Sequence, residues 1–236
     1  MKRFYNEVAT QAQGQGWQVT LDGRAIKTAG GNAQRVPSLA LAEAMAREWS
    51  TQGEEIDPRA FQLRDLADYA IDVASGEARV GLIDEIAAYA GSDTLCYRAD
   101  PQEPLHARQL EMWEPLLAEA ERRYDVHFER VSGIVHRQQP PETMARLQAA
   151  VAAQDAFGLA ALRMLTSLSA SLVIALAALE PEADGDSLWQ TANLEEDWQA
   201  EHWGSDAEAE EARHARSEAF LLAMRFAALA REGLRA

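Results

Sequence analysis

The spacing of apolar residues changes along this chain, and the change limits its fold class more than any other feature. Residues 17–21 and 24–28 alternate apolar and polar side chains around Asp22-Gly23, which is a strong signal for a β-hairpin with a two-residue turn. After Pro140-Pro141, apolar residues recur only at the spacing of helices. The sequence therefore predicts an α+β fold in which β-structure is confined to the first part of the chain.

The same change of pattern indicates two domains. We expect a small β-containing N-terminal domain over residues 1–138 and an all-helical C-terminal domain over residues 139–236. Strands are predicted in the first domain at 4–11, 17–21, 24–28, 34–36, 94–98, 126–131 and 134–136. Helices are predicted in both domains, at 38–53, 63–73, 80–89, 104–124, 142–153, 157–179, 187–193, 194–203 and 206–232.

The charge of the chain excludes some classes of partner. Its 236 residues carry 22 Lys and Arg against 38 Asp and Glu, a formal net charge of −16. Nucleic-acid phosphates and anionic membranes repel such a surface unless it has a local basic patch, and the sequence shows none. The most apolar stretch, residues 159–179, is interrupted by polar side chains and predicts a buried helix. We therefore expect neither a nucleic-acid partner nor insertion into a membrane.

The cysteine content and the first residues suggest where the chain works. Cys96 is the only cysteine, which excludes an internal disulfide and fits a reducing compartment. The opening Met1-Lys2-Arg3 is not followed by the apolar run of a secretory signal. These features predict a cytoplasmic protein or a processed mature form.

Residues that carry out catalysis or hold cofactors do not form a recognisable pattern. The glycines at 14, 16, 30 and 31 fit turns, because a phosphate-binding loop needs a further glycine and a strand-to-helix context. No two of the five histidines are three or four residues apart, which is the usual local spacing of metal ligands. Cys96 lacks a nucleophile motif and is read as a buried structural residue. We expect no catalytic residue, no metal site and no cofactor.

The most unusual stretch is an acidic run with two tryptophans, residues 195–204. Asp197 and Glu201 are four residues apart, so on a helix two like charges would lie side by side. One interpretation, favoured by composition alone, buries Trp198 and Trp203 in a helical core and leaves the acids in solvent. The other makes the run a docking surface, where acids meet a basic partner and the aromatic rings act as anchors.

A family resemblance enters through six ordered segments. They are residues 2–5, 21–28, 48–58, 88–98, 113–117 and 195–204. Together they resemble the ATP12-type assembly chaperones of the F-type ATP synthase, which handle the α subunit of the F1 sector in mitochondria and α-proteobacteria. The resemblance extends over nearly the whole chain.

The resemblance implies a chaperone that is neither an enzyme nor dependent on nucleotide. Such a protein binds free α subunit and shields the surface that later meets the β subunit, in the bacterial cytoplasm or, for eukaryotic relatives, in the mitochondrial matrix. The family fold, a small β-containing domain followed by a helical one, agrees with the change of pattern. Acidic residues of the C-terminal domain are implicated in function, and this implication falls on one set of candidate client-binding residues: Glu195, Glu196, Asp197 and Glu201, with Trp198 and Trp203 as aromatic neighbours.

Two other functions stay open at this point. The acidic run could belong to a metal-dependent hydrolase that uses residues 195–201 together with His202 or His214. The chain could also be a general acidic scaffold without a specific client.

Overall fold

The computed structural model describes residues 1–133, 136–204 and 206–233, and it confirms an α+β fold with its strands in the first part of the chain. The strands of this part of the chain are β1 (Val8–Gln13), β2 (Gly16–Leu21), β3 (Arg24–Ala25), β4 (Tyr97–Arg98) and β5 (Val131–Ser132). The helices are α1 (Leu39–Ser50), α2 (Gln62–Tyr69), α3 (Arg79–Ala88), α4 (Pro104–Tyr124), α5 (Pro141–Ala152), α6 (Ala156–Ser169), α7 (Leu172–Ala178), α8 (Gly185–Ala192), α9 (Leu194–Trp203) and α10 (Ala207–Arg231).

The first three strands form an antiparallel sheet in the order β1-β2-β3. Asp22 and Gly23 join β2 to β3 with φ angles of 49° and 76°, so both residues adopt the left-handed conformation that a type I′ turn requires. The predicted hairpin is therefore confirmed, although its second strand ends at Ala25 and not at residue 28 as predicted. The Asp22 carboxylate accepts hydrogen bonds from the backbone N–H groups of Asn6 (3.0 Å) and Glu7 (2.8 Å), which attaches the turn to the chain before β1.

The chain divides into two compact units, each assembled from separate stretches of sequence. One contains residues 1–80, 155–161 and the chain from residue 225, and the other contains residues 81–154 and 162–224. The predicted domain boundary after residue 138 stays a prediction.

The core of the first unit is built on aromatic side chains. The ring of Trp49 on α1 lies 5.5 Å from that of Tyr5 and 4.4 Å from that of Phe61, measured between centroids. The Tyr5 hydroxyl donates a hydrogen bond of 2.6 Å to the Trp49 carbonyl, so its polar atom is satisfied although the residue is buried. These contacts hold the N-terminal residues against α1.

The core of the second unit determines where α8 and α9 lie. Trp113 on α4 is fully buried, and its indole N–H donates a hydrogen bond of 2.9 Å to the Thr191 carbonyl at the end of α8. The ring of Trp189 on α8 lies 5.6 Å from that of Phe220 on α10. Because α9 follows α8 after a single residue, Asn193, these two contacts place its start next to α4 and α10. None of the described helices is both long and apolar enough to cross a bilayer.

The strand predicted at 94–98 is wrong over its first three residues. Thr94–Cys96 form a 3-10 turn, and only Tyr97 and Arg98 pair with another strand, β5, in parallel. The cause is Asp93, whose carboxylate accepts a hydrogen bond of 3.1 Å from the Leu95 N–H and so caps a helical turn. Cys96 is buried, as expected.

The strand predicted at 126–131 is also wrong, except at Val131. Side chains take the backbone donors that a strand would use: Thr143 accepts from the N–H of His127, Glu121 from that of Phe128 and Gln139 from that of Glu129. The alternating pattern therefore reflects burial of Phe128 and Val131 rather than pairing with a neighbouring strand. Residues 134 and 135 of the strand predicted at 134–136 lie outside the described residues.

The single helix predicted over 157–179 is two helices. Ala170 has a φ of 50°, which ends α6, and the Ser171 hydroxyl accepts a hydrogen bond of 3.1 Å from the Ile174 N–H to begin α7. The Ala170 carbonyl accepts hydrogen bonds from the N–H and hydroxyl of Thr94, which secures the break. The apolar pattern continued through the break because residues on both sides of it are buried.

Candidate functional site

All six candidate client-binding residues lie on α9, and polar contacts hold this helix in place. Leu194 is fully buried, whereas the rest of the helix is half-buried or exposed. Three acidic residues occupy the first turn, where the positive end of the helix dipole stabilises carboxylates. The helix ends at Gly204, whose φ of 81° turns the chain towards α10. What each acidic side chain can do depends on its partner in α4 or α10.

Glu195 is bound to another helix of the protein. Its carboxylate accepts a hydrogen bond of 2.7 Å from the Gln109 side chain on α4. Gln109 is fully buried, and its amide oxygen accepts a second bond of 2.9 Å from the Ala99 N–H. Burial raises the pKa of Glu195, against the opposing effect of the Gln109 hydrogen bond. Glu195 therefore joins α9 to α4.

Glu196 and Asp197 face arginines of α10. Both carboxylate oxygens of Glu196 lie within 2.7–2.9 Å of an Arg216 nitrogen. Asp197 forms an ion pair with Arg213, and burial raises its pKa although that arginine acts in the opposite direction. The Asp197 side chain is 21% exposed, compared with 45% for Glu196. Asp197 is thus the more enclosed of the two acids that attach α9 to α10.

Glu201 and Trp198 share one arginine of α4. The Arg108 guanidinium donates two hydrogen bonds to Glu201, of 2.7 and 3.0 Å, and lies 5.7 Å from the centre of the Trp198 ring. These hydrogen bonds lower the pKa of Glu201. The Trp198 ring also lies 4.3 Å from that of His202. Trp198 is half-buried, so the interpretation that buries it in the helical core is wrong.

Trp203 is 78% exposed, so the interpretation that buries both tryptophans in the helical core is wrong for this residue as well. It stands beside a groove of about 600 Å3 between α9 and the first half of α10. The groove is lined by Trp189, Glu196, Gln199, Ala200, Trp203, Gly204, Asp206, Ala209, Glu210, Arg213, His214 and Ser217. A single exposed apolar residue needs no explanation, but an exposed indole at the edge of a groove makes this end of α9 a candidate contact surface.

The α10 side of the groove was missed by sequence reasoning. Asp206, Glu210 and Arg213 recur at helical spacing, which places Glu210 and Arg213 on one face of α10 with Asp206 directly before its first turn. That signal was present in the sequence, but every exposed amphipathic helix has such a face. Only the packing of α10 against α9 shows that this face lines a groove.

The side chains of the described residues are poorly placed to bind a metal ion. Within residues 1–133, 136–204 and 206–233, no group of three or more His, Cys, Asp and Glu side chains is placed to hold one. The His202 ring nitrogen Nδ1 lies 2.7 Å from the Trp198 carbonyl, and His214 Nε2 lies 3.5 Å from Glu218. Burial raises the pKa of the Cys96 thiol to about 12, which keeps it protonated and unreactive at neutral pH.

Comparison with known proteins gives consistent matches. Residues 2–121 match the sequence model of the ATP12 chaperone protein family. The mitochondrial protein atp12 of Schizosaccharomyces pombe is 25% identical over 221 residues, covering 89% of this chain and 76% of that protein. The crystal structure of Atp12 from Paracoccus denitrificans superposes with a TM-score of 0.92 at 35% identity and covers 98% of both chains. An Asp-to-Lys mutant of the same Paracoccus protein matches with the same values.

Proposed function

The chain belongs to the ATP12 chaperone family, whose members are chaperones of ATP synthase assembly, and from this premise we propose that its client is the free α subunit of the F1 sector. The chaperone covers the surface of α that later meets the β subunit, so that assembly of the catalytic head proceeds faster than aggregation. It acts without hydrolysing or binding nucleotide, and it does not work as an enzyme. The cytoplasmic location predicted from the sequence stays a prediction.

The observation that carries this proposal is an exposed tryptophan at the end of an acidic helix. Trp203 is 78% exposed, and the Glu196 and Glu201 side chains nearby on α9 are 45% and 50% exposed. An aromatic anchor beside exposed acids suits a client surface that carries basic residues around an apolar patch. We assign direct client contact to these three side chains.

The other three candidates have a supporting role in this proposal. Glu195 and Asp197 are the more enclosed acids, tied to α4 and α10, and Trp198 packs against His202. They keep the helix in position, so that the exposed side chains meet the client as a rigid set.

The ion pair between Glu201 and Arg108 does not prevent Glu201 from binding a client. Both side chains are substantially exposed, and pairs of this kind contribute only about 0–1 kcal/mol to stability. A basic residue of the client can therefore replace Arg108 as the partner of Glu201 at small cost.

The test is capture of purified F1 α subunit by the full chain, with the β subunit as the specificity control. We expect capture of α without added nucleotide, and weaker capture by Glu201→Lys, by about tenfold at low salt, because attraction becomes repulsion. The matched control is Glu119→Lys, since Glu119 is 50% exposed and makes an equivalent pair with Arg122 on α4. Both variants should keep near-native melting temperatures.

Two results would contradict the proposal at different points. If the wild-type chain captures β as well as α, or neither, the client is misidentified. If it captures α and Glu201→Lys does so equally well, the client stands but α9 is not its docking surface.

A further inference from the structure

The groove between α9 and α10 combines an exposed indole with a strong excess of carboxylates. The stretch of sequence 194–218, from the start of α9 to the middle of α10, contains nine Asp and Glu against two Arg. Those two arginines already pair with acids of α9: Arg213 with Asp197 and Arg216 with Glu196. The carboxylates of this stretch therefore outnumber the arginines that pair with them, which gives the groove an excess of negative charge.

Two of the groove acids point to a cationic occupant in particular. Asp206 and Glu210 lie one turn apart at the start of α10, and both line the groove that Trp203 borders. Asp206 uses one oxygen to cap α10, accepting 2.8 Å from the Ala209 N–H, which leaves its second oxygen free for another donor. Carboxylates beside an aromatic face form the usual environment of a bound guanidinium.

The same helix shows this chemistry inside the protein. Five residues before Trp203 in the sequence, the Trp198 ring lies beneath the Arg108 guanidinium, which also donates two hydrogen bonds to Glu201. An indole face and a carboxylate on α9 thus hold an arginine by stacking and paired hydrogen bonds together. The groove presents an indole and carboxylates of the same kinds, but facing solvent.

From these observations we propose that the groove is a receptor for an arginine of the client. The guanidinium packs on the Trp203 indole and donates hydrogen bonds to Asp206 and Glu210, and its aliphatic stem lies along Ala200 and Ala209. Arginine is the specified residue because lysine, a compact and strongly hydrated charge, stacks less well and cannot donate in a fork. This inference rests on the proposed function, since it names the residue type by which the client is recognised.

The test uses the full chain and three short peptides, acetyl-Gly-Arg-Gly-Arg-Gly-amide and its counterparts with Lys or Glu in place of Arg. The probe is the indole N–H signal of Trp203 in a ¹H–¹⁵N spectrum, assigned by its loss in Trp203→Phe. We expect the Arg peptide to shift this signal and to bind about three- to fivefold more tightly than the Lys peptide. Trp203→Ala should remove that preference, and the Glu peptide should not bind.

A matched pair of double variants tests the carboxylates. Asp206→Asn with Glu210→Gln removes two groove charges, and the Asn side-chain oxygen keeps the cap on α10. The control, Glu208→Gln with Glu211→Gln, removes two exposed charges from the same helix outside the groove. We expect the first pair to weaken binding of the Arg peptide about five- to tenfold, and the control by less than twofold.

The inference is overturned if the Arg peptide leaves the Trp203 signal unchanged, because the peptide then does not contact Trp203. It is also overturned if the two double variants weaken binding equally, because the peptide is then attracted nonspecifically to an acidic protein. Capture of α subunit, measured on the same variants, separates this inference from the proposed function. Undiminished capture by Trp203→Ala and by the groove double variant would show that the client does not use the groove, while leaving the proposed client in place. If the Arg peptide binds in the groove but the chain does not capture α, the groove binds arginine as inferred and the α subunit is not the client.

Discussion

Replacing Asp93 by Asn should lower the free energy of unfolding by an amount that depends on pH. Asp93 is fully buried, and its two oxygens accept from different elements: the Leu95 N–H at 3.1 Å and the Val173 N–H at 3.0 Å. The Asp93 carboxylate thus caps the first backbone N–H groups of both the 3-10 turn at 94–96 and helix α7. In Asp93→Asn one of these N–H groups must face the amide NH2, which leaves a buried donor without an acceptor.

The size of the effect follows from those contacts and from the Asp93 pKa. Losing one charge-assisted hydrogen bond costs about 2–3 kcal/mol at pH 8, partly offset because the buried charge is also removed. Burial raises the pKa of Asp93 from 3.8 to about 6, although hydrogen bonds from Val173, Ser171 and Leu95 oppose the shift. Because the folded-state pKa is the higher one, the associated stability is complete below about pH 4 and is lost as the pH rises through about 6.

Urea unfolding of the full chain at pH 5.5 and pH 8 measures this pH dependence of stability. The chain is negatively charged at both pH values, because its isoelectric point is about 4.7. The stability difference between wild type and Asp93→Asn should be larger at pH 5.5, by on the order of 1 kcal/mol, because only the wild type gains by protonation. Asp22→Asn is the control: backbone hydrogen bonds from Glu7 and Asn6 lower the pKa of Asp22, so its cost should be equal at both pH values. A pH-independent difference for Asp93→Asn would refute the reasoning.

Two further predictions concern residues in the left-handed region. Gly23→Val should destabilise the chain by about 1–2 kcal/mol in urea unfolding, because a β-branched residue at φ 76° is strained. A Cβ at Gly23 meets nothing within 4 Å, so Gly23→Asn, which tolerates this conformation, should cost clearly less; equal losses would mean that strain is not the cause. Ala170→Gly should stabilise the chain by about 0.5–1 kcal/mol, because it relieves the strain at φ 50°, and a lower melting temperature would contradict this.

Local sequence determined several elements without help from the rest of the fold. The Asp22-Gly23 turn follows from two residues that accept positive φ between alternating strands, and α4 covers the predicted range 104–124. The bounds of α9, predicted at 194–203, also hold, because Gly204 supplies a stop signal in the sequence. The family resemblance seen in the ordered motifs is confirmed by the match of residues 2–121. For the turn and for the two helices, the determining groups are close together in the chain.

Prediction from sequence failed where a side chain outside the predicted element accepted a hydrogen bond from one of its backbone N–H groups. The side chains of Glu121 and Gln139 accept hydrogen bonds from backbone N–H groups of the segment predicted as a strand at 126–131. The Asp93 carboxylate accepts one from the Val173 N–H in the first turn of α7, 80 residues further along the chain. Apolar periodicity reports which residues are buried, and burial is compatible with a strand, a 3-10 turn or an extended loop. The partner of each backbone donor decides between them, and that partner is chosen by tertiary packing.

For the candidate site, sequence determined the composition of α9 and tertiary structure decided the part each residue plays. The run of acids with two tryptophans is visible in the sequence, but four arginine and glutamine side chains from α4 and α10 set their exposure. Those partners lie between 16 and 93 residues away from the acids they contact. Trp198, which contacts Arg108 and His202, is half-buried, whereas Trp203 is exposed. A local pattern specifies which charges a helix carries, whereas only packing specifies which of them remain available to a partner.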